Sequence, residues 1–360
     1  MATALALARR GLGNVWPNPA VGCVVVKDGQ VVGRGWTQPG GRPHAETEAL
    51  ARAGEAAAGA TAYVTLEPCS HVGRTPPCTD ALLAARIRRC VVATVDPDPR
   101  VNGNGLRRLR EAGVEVVTGC LAAEAEALNA GFFMRVRQGR PLVALKIAAS
   151  ADGRIATASG HSRWITGPAA REEGHRLRAT HDAIMVGSGT VLADDPDLTC
   201  RLPGLEPLSP VRVVMDRRLR LPTNARLART AREVPLWVFS RGGAPLRASA
   251  LESGGTRIFR VAAMHDPDAL REVLAALAGQ GITRLLVEGG ATLATSLLRE
   301  RLVDRIHLFT APVLLGGDGR AAIEALGIGR VDEASRWHQL EVRSLGEDHL
   351  AVYERQGLED

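Results

Sequence analysis

One imidazole, two thiols and a carboxylate are the residues of this chain best able to do chemistry together: His44, Cys69, Cys78 and Glu46. A histidine nitrogen and two thiolates are soft ligands suited to zinc. Their number matters, because a structural zinc site closes with four protein ligands whereas a catalytic one keeps a position open for water. The trio His44, Cys69 and Cys78 therefore predicts the open kind. Glu46 follows the histidine by two residues and is not needed as a ligand, so it is available to carry protons to and from that water. Pro68 stands directly before Cys69, and the segment Ser70 to Pro77 separates the two thiols. That is longer than the two-residue gap of the common Pro-Cys-x-x-Cys arrangement. His71 is the nearest candidate for a fourth ligand, but nothing in the spacing demands it.

The elements that would position these groups follow from pattern. Pro17-Asn18-Pro19 is a rigid turn. Two β-branched runs, Val21 to Val26 and Val31 to Gly35, flank Asp28-Gly29 and predict a hairpin. His44 to Ala53 has helical composition, with Ala45, Ala49, Leu50 and Ala53 as its apolar face. Ala62 to Leu66 is a strand that ends at Glu67-Pro68-Cys69, and Cys78 sits where the next helix starts. There the positive end of the helix dipole favours a thiolate. Strands at Cys90 to Asp96 and Val114 to Val117 enclose a helix from Gly105 to Ala112. The ligands thus fall at a helix start, a strand end and a second helix start, positions that meet at one edge of an α/β sheet.

Leu121 to Arg137 reads as one helix, and Gly139-Arg140-Pro141 breaks it, which divides the chain into domains 1–139 and 140–360. Beyond the break, strands at Pro141 to Ala148, Ala183 to Val186, Val211 to Met215, Leu236 to Phe239, Arg257 to Val261 and Leu285 to Val287 alternate with helices or loops. Ile306 to Ala311 is the last clear strand. The alternation predicts a second α/β domain with a largely parallel sheet. Glu288-Gly289-Gly290 after a strand and before a helix can bring backbone N–H groups to a phosphate, although by spacing alone it is a turn and not a nucleotide fingerprint.

With 360 residues and 45% apolar content the chain can bury two cores, mostly of Val, Leu, Ala and Ile, since aromatics make up 3%. A net charge of +6 suits a phosphorylated small substrate as well as nucleic acid. The absence of basic runs and the scarcity of aromatics for base stacking argue against nucleic acid. Six cysteines in such a length make no disulfide framework, and Cys23, Cys90, Cys120 and Cys200 read as buried thiols. No apolar run reaches membrane-span length, and Arg9-Arg10 follow rather than precede the first apolar stretch. No membrane association and a cytoplasmic setting are expected.

The His-x-Glu and Pro-Cys pair is the pattern of zinc nucleobase deaminases, and longer segments narrow the match. Pro17-Asn18-Pro19-Ala20-Val21-Gly22, Gly41-Arg42-Pro43-His44-Ala45-Glu46 and Cys69-Ser70-His71-Val72-Gly73-Arg74-Thr75-Pro76-Pro77-Cys78 resemble the deaminase domain of the bifunctional riboflavin-biosynthesis deaminase/reductases. In the second half, Lys146 to Arg154, Ser162 to Thr166, Gly189 to Arg201 and Glu288 to Leu293 resemble the reductase domain of the same family. The resemblance implies an N-terminal cytidine-deaminase-like three-layer domain and a C-terminal dihydrofolate-reductase-like α/β domain. It implies zinc on His44, Cys69 and Cys78, Glu46 as proton shuttle, and Asn18 facing the pyrimidine. His71, Arg74 and Thr75 in the inserted loop are assigned to the ribose phosphate on chemical grounds. NADPH would meet Ala148, Trp164, Thr190, Asp194 and the run Gly290, Ala291, Thr292, Leu293, Ala294, Thr295 and Ser296. Substrate would meet Lys146, Ser162, Arg178, Leu198, Arg201 and Glu288, with Arg178 and Arg201 as a phosphate clamp. Two positions depart from the family pattern, Glu48 and Arg217, the latter where a small hydroxyl residue near the cofactor is expected.

The implied function is zinc-dependent deamination of a phosphorylated diaminopyrimidine followed by NADPH-dependent reduction of its ribosyl group, in a homo-oligomer. Two rivals differ in what they need. An RNA-editing deaminase needs a basic, aromatic-bearing track, and a zinc-stabilised binding protein needs a fourth ligand.

Overall fold

The computed structural model describes residues 1–71, 76–261 and 268–356. The chain divides into two compact units, Met1–Gly139 and Arg140–Asp360.

In the first unit, β1 (Gly22–Lys27) and β2 (Gln30–Trp36) form the expected antiparallel hairpin. Asp28 and Gly29 turn it with φ of 48° and 76°, the left-handed geometry such a turn requires. With β3 (Thr61–Val64), β4 (Arg89–Val92) and β5 (Glu115–Thr118) they make one sheet in the order β2-β1-β3-β4-β5, parallel from β3 onward. Helices cover both faces: α1 (Ala2–Ala8) and α5 (Ala122–Leu128) on one, α2 (Ala45–Ala53), α3 (Cys78–Ala84) and α4 (Asn104–Glu111) on the other. The period-two alternation of β1 serves both layers, since Cys23 and Val25 pack with α2 while Val24 packs with α1. Two glycines of β2 let α2 lie close. A Cβ on Gly33 or Gly35 would stand 2.2 Å from the carbonyl oxygen of Ala49 or Ala45 respectively.

The single helix expected over 121–137 is two, α5 and α6 (Ala130–Gln138). They part at Asn129, which leaves helical geometry (φ −98°, ψ 17°). Its buried amide accepts the Ala20 N–H at 2.9 Å and donates to the Ala20 carbonyl at 3.0 Å.

Among the described residues, the large sheet of the second unit has nine strands in the order β11-β10-β9-β8-β12-β6-β13-β16-β15. In chain order these are β6 (Leu142–Ser150), β8 (Ala183–Gly187), β9 (Val211–Met215), β10 (Leu236–Ser240), β11 (Arg257–Arg260), β12 (Arg284–Val287), β13 (Arg305–Ala311), β15 (Trp337–Leu345) and β16 (Asp348–Arg355). A separate ribbon pairs β7 (Arg154–Ala156) with β14 (Arg320–Ala321). The helices are α7 (Pro168–Ala179), α8 (Ser188–Asp194), α9 (Arg226–Arg229), α10 (Pro245–Ser253), α11 (Asp268–Gly279) and α12 (Ala291–Arg299). The large sheet is parallel from β11 through β13. It ends in the antiparallel hairpin β15–β16, which the sequence pattern does not announce. On β15 the apolar Leu340 and Val342 are 46% and 53% exposed, so no buried stripe marks the strand.

All six cysteines are free, with Cys23, Cys90 and Cys200 buried as expected and Cys120 only half-buried. Among the described residues no helix is long and apolar enough to cross a membrane.

The glycine clearance has a measurable consequence. Gly35→Ala must push α2 off β2, and the overpacking should cost about 1–3 kcal/mol of the first unit's stability in urea unfolding. An unchanged midpoint would mean that the helix does not need that close approach.

Candidate active sites

In the first unit three chain ends converge. His44 is the N-cap of α2 with extended backbone (φ −72°, ψ 161°), so the helix starts one residue later than expected. Cys69 follows β3, and Cys78 is the first residue of α3. His44 Nδ1 lies 3.3 Å from Cys78 Sγ and 3.7 Å from Cys69 Sγ. The three ligand atoms all fall within 4.8 Å of one another. Cys69 is tied to α3 twice, its sulfur accepting the Cys78 N–H at 3.3 Å and its carbonyl the Thr79 N–H at 3.2 Å. One nitrogen and two sulfurs facing a common point fit a zinc ion with one position left over. His71 is half-buried and does not join the trio.

Glu46 sits in the first turn of α2 and is 3% exposed. Burial pushes its carboxyl up to about 7, with His44 opposing the shift and Cys69 adding to it. A carboxyl that titrates near neutrality can both take and return a proton. The thiols divide unequally. A hydrogen bond from Cys78 is the main cause that holds the Cys69 thiol at about 4, against its burial, while the same bond and then burial push Cys78 up. Asn18 donates to the Gly41 carbonyl at 3.2 Å, and its amide fills the space a Gly41 Cβ would need. It therefore braces the segment that leads into His44. Glu48 is paired with Arg52 at 3.1 Å on α2, so this departure from the family pattern is a surface ion pair. Arg74 and Thr75 lie outside the described residues.

In the second unit a cleft of about 530 Å³ opens where β6, β12 and α8 meet. Of the expected contacts, Lys146, Ala148, Ser162, Trp164, Arg178, Thr190, Asp194, Leu198, Arg201, Glu288, Gly290 and Ala294 line it. Others do not. Thr295 is buried and accepts the Glu324 N–H at 2.8 Å, Ser296 donates to the Thr292 carbonyl, and Leu293 packs over Gly289. Ala291 and Thr292 stand in the first turn of α12, whose N-cap is Gly290, and the Thr292 hydroxyl donates to Glu324 at 2.8 Å. Asp195, Asp197, Arg163 and Arg226 line the cleft too; the first three lie in segments that carry the resemblance but have no assigned contact, and Arg226 lies outside them. Arg217, just past β9, is not among the lining residues; its carbonyl accepts from Ser240 and from the Arg241 N–H at 3.3 and 3.2 Å.

Of the two arginines expected as a phosphate clamp, Arg178 is held by protein partners and Arg201 is exposed. Arg178 is bound bidentately to Glu288 at 2.8 and 2.9 Å, and its third nitrogen donates to the Thr199 carbonyl at 3.0 Å. It anchors Glu288 in this structure. Arg201 is exposed, 3.6 Å from Asp197. Lys146 Nζ stands 4.0 Å from Glu288. Burial lowers the Lys146 ammonium, with Glu288 opposing and Arg178 adding. Burial alone would raise Glu288, but the charge and hydrogen bonds of Arg178, helped by Lys146, hold it down at about 2.

A layered unit with a catalytic-type His and Cys trio, fused to an open-sheet unit with a cleft at its parallel strand ends, is the arrangement of a two-domain deaminase and reductase. The family model for the cytidine and deoxycytidylate deaminase zinc-binding region matches residues 1–94, and that for the RibD C-terminal domain matches residues 141–351. The chain belongs to the RibD family of riboflavin biosynthesis proteins. It is 45% identical to the riboflavin biosynthesis protein RibD of Escherichia coli K12, over 97% of this chain and 96% of that one. The corresponding Aquifex aeolicus protein is 42% identical over 99% and 97%. Among solved structures, Acinetobacter baumannii RibD is 41% identical with a TM-score of 0.90, covering 99% of this chain and 97% of that one. A Thermotoga maritima diaminohydroxyphosphoribosylaminopyrimidine deaminase/5-amino-6-(5-phosphoribosylamino)uracil reductase is 34% identical with a TM-score of 0.87, over the same shares. The protein is thus a bifunctional deaminase and reductase of riboflavin biosynthesis that uses zinc and NADPH.

The Glu288 pair gives a signed pH dependence. Its folded carboxyl is depressed to about 2 from an ordinary ~4.3, so its stabilisation is complete above that ordinary value and is lost as pH falls toward 2. Glu288→Gln should destabilise the second unit by about 3 kcal/mol at pH 7, by leaving Arg178 uncompensated. It should also flatten the loss of stability between pH 5 and about 2. Urea unfolding of both proteins across that range checks the sign.

Proposed function

We propose that the unit over 1–139 removes the amino group of 2,5-diamino-6-ribosylamino-4(3H)-pyrimidinone 5′-phosphate by hydrolysis. In this proposal the unit over 140–360 then reduces the ribosyl group to give 5-amino-6-ribitylamino-uracil 5′-phosphate. The observation that carries the first step is the convergence of His44, Cys69 and Cys78 beside the buried carboxyl of Glu46. A zinc ion held by His44 Nδ1 and the two sulfurs would act as a Lewis acid that makes hydroxide available at neutral pH. Glu46 takes the proton of the attacking water and returns it to the nitrogen that leaves as ammonia. Asn18, fixed to the Gly41 carbonyl, orients the ring.

Bound in the cleft of the second unit, NADPH would supply a hydride for C1′. Ala148, Trp164, Thr190, Asp194 and Gly290 line the cleft that would hold it, and the first-turn N–H groups of Ala291 and Thr292 would suit its phosphates. Ser162, Leu198 and Arg201 receive the substrate, Arg201 at its phosphate. Lys146, buried beside the anchored Glu288, delivers the proton that opens the sugar ring. A homo-oligomer, expected from the resemblance, completes the proposal and is read by light scattering.

Mass spectrometry of the diaminopyrimidinone ribosyl-phosphate should show exchange of the amino group for oxygen without NADPH, and a gain of two hydrogens only with it. Glu46→Gln should keep its zinc and its reductase activity while deamination falls by at least about a thousandfold. Substantial deamination by the zinc-replete variant would exclude the shuttle role.

A further inference from the structure

Glu67 lies between the end of β3 and the zinc ligand Cys69, and no step assigned above uses it. It is 3% exposed, so its charge is held out of water. Its Oε1 accepts the N–H groups of Gly105 and Leu106 at 2.9 and 3.3 Å, both in the first turn of α4. Its Oε2 accepts those of Gly103 and Asp96 at 2.9 and 3.3 Å. Its own N–H is bound to the Thr94 carbonyl at 3.0 Å. α4 is drawn in so far that a Cβ on Gly105 would stand 2.1 Å from the Pro68 carbonyl oxygen. The dipeptide Pro68-Cys69 is therefore gripped from both sides, by α4 through Glu67 and by α3 through the sulfur and carbonyl of Cys69.

We infer that Glu67 is a positioning residue for the metal centre, one whose carboxylate fixes Cys69 by binding the α4 N-terminus and the loop after β4 at once. All four of its side-chain partners are N–H donors, so the site calls for two acceptor oxygens. An amide of the same shape offers one oxygen and one NH2. Glu67→Gln would thus set a donor against either the Gly105–Leu106 pair or the Gly103–Asp96 pair. Groups that orient a metal ligand without touching the ion typically change metal affinity by about 10–100-fold when removed. Pro68 restricts the backbone between Glu67 and Cys69, so a displaced carboxylate shifts the sulfur rather than being absorbed in a flexible link.

The inference rests on the zinc reading of His44, Cys69 and Cys78. The experiment uses the full-length zinc-loaded chain and follows metal release to an excess of a chromogenic chelator. We expect release about tenfold faster for Glu67→Gln and up to about a hundredfold faster for Glu67→Ala. The cobalt-substituted proteins should also show a shifted thiolate-to-metal absorption band. Leu5→Ala, on the opposite face of the sheet, lowers the stability of the same unit without touching the centre and should release zinc at the wild-type rate. Should Glu67→Ala not fold, the near-isosteric Glu67→Gln decides. Wild-type release rates in the Glu67 variants would overturn the inference, as would equal acceleration by Leu5→Ala. A wild-type protein that binds no zinc would instead sink the metal reading beneath it.

Discussion

Two thiols and a carboxyl crowded out of water repel one another as soon as more than one of them ionises, and the first unit is arranged around that repulsion. The thiols respond by sharing a proton, Cys69 held low and Cys78 pushed up, while burial keeps Glu46 near neutrality. A dication resolves the conflict for the sulfurs, and helix N-termini supply further positive ends. His44 caps α2, Cys78 begins α3 and Glu67 binds the first turn of α4. The sheet makes this possible because β3, β4 and β5 run parallel, so each returns through a helix that starts at the same edge.

The second unit meets the same problem with covalently attached cations. Glu288 leaves the end of β12 beside Lys146 of β6, and Arg178 of α7 reaches it with a bidentate grip. A buried pair of this kind is weak evidence for net stability, since desolvation of both charges offsets their attraction. Its effect is geometric. It fixes a carboxylate and an ammonium at one point of the cleft wall, level with the N-terminus of α12.

The contrast between what sequence shows and what it hides follows from the range of the interactions. His44, Glu46, Cys69 and Cys78 are legible because residue type and spacing already carry valence and proton chemistry. Glu67 is not, because its partners stand 29 to 39 residues further on and are backbone groups of ordinary residues. A carboxylate directly before Pro-Cys and glycines at 103 and 105 were the only local hints. A guanidinium such as Arg178 suits phosphate by type alone, and its bond to Glu288, 110 residues away, is invisible to pattern. The break at Asn129 has the same origin in a bond to Ala20, 109 residues distant. Where an apolar run is buried on both faces, as on β1, pattern suffices; on β15, where Leu340 and Val342 are exposed, it does not.

The ion pairs around the cleft also sort its cations by task. The lining holds the cations Lys146, Arg163, Arg178, Arg201 and Arg226 against the carboxylates Asp194, Asp195, Asp197 and Glu288. A strong unbalanced field therefore does not draw phosphate in. Arg201 and Arg226 pair with Asp197 at 3.6 and 3.5 Å across water-exposed geometry. Such contacts are worth about 0–1 kcal/mol each and are readily exchanged for a doubly charged phosphate. Arg178 cannot make that exchange without stranding Glu288 in the protein interior. The exposed Arg201 and Arg226 are thus held less firmly than Arg178, on which the partner Glu288 depends.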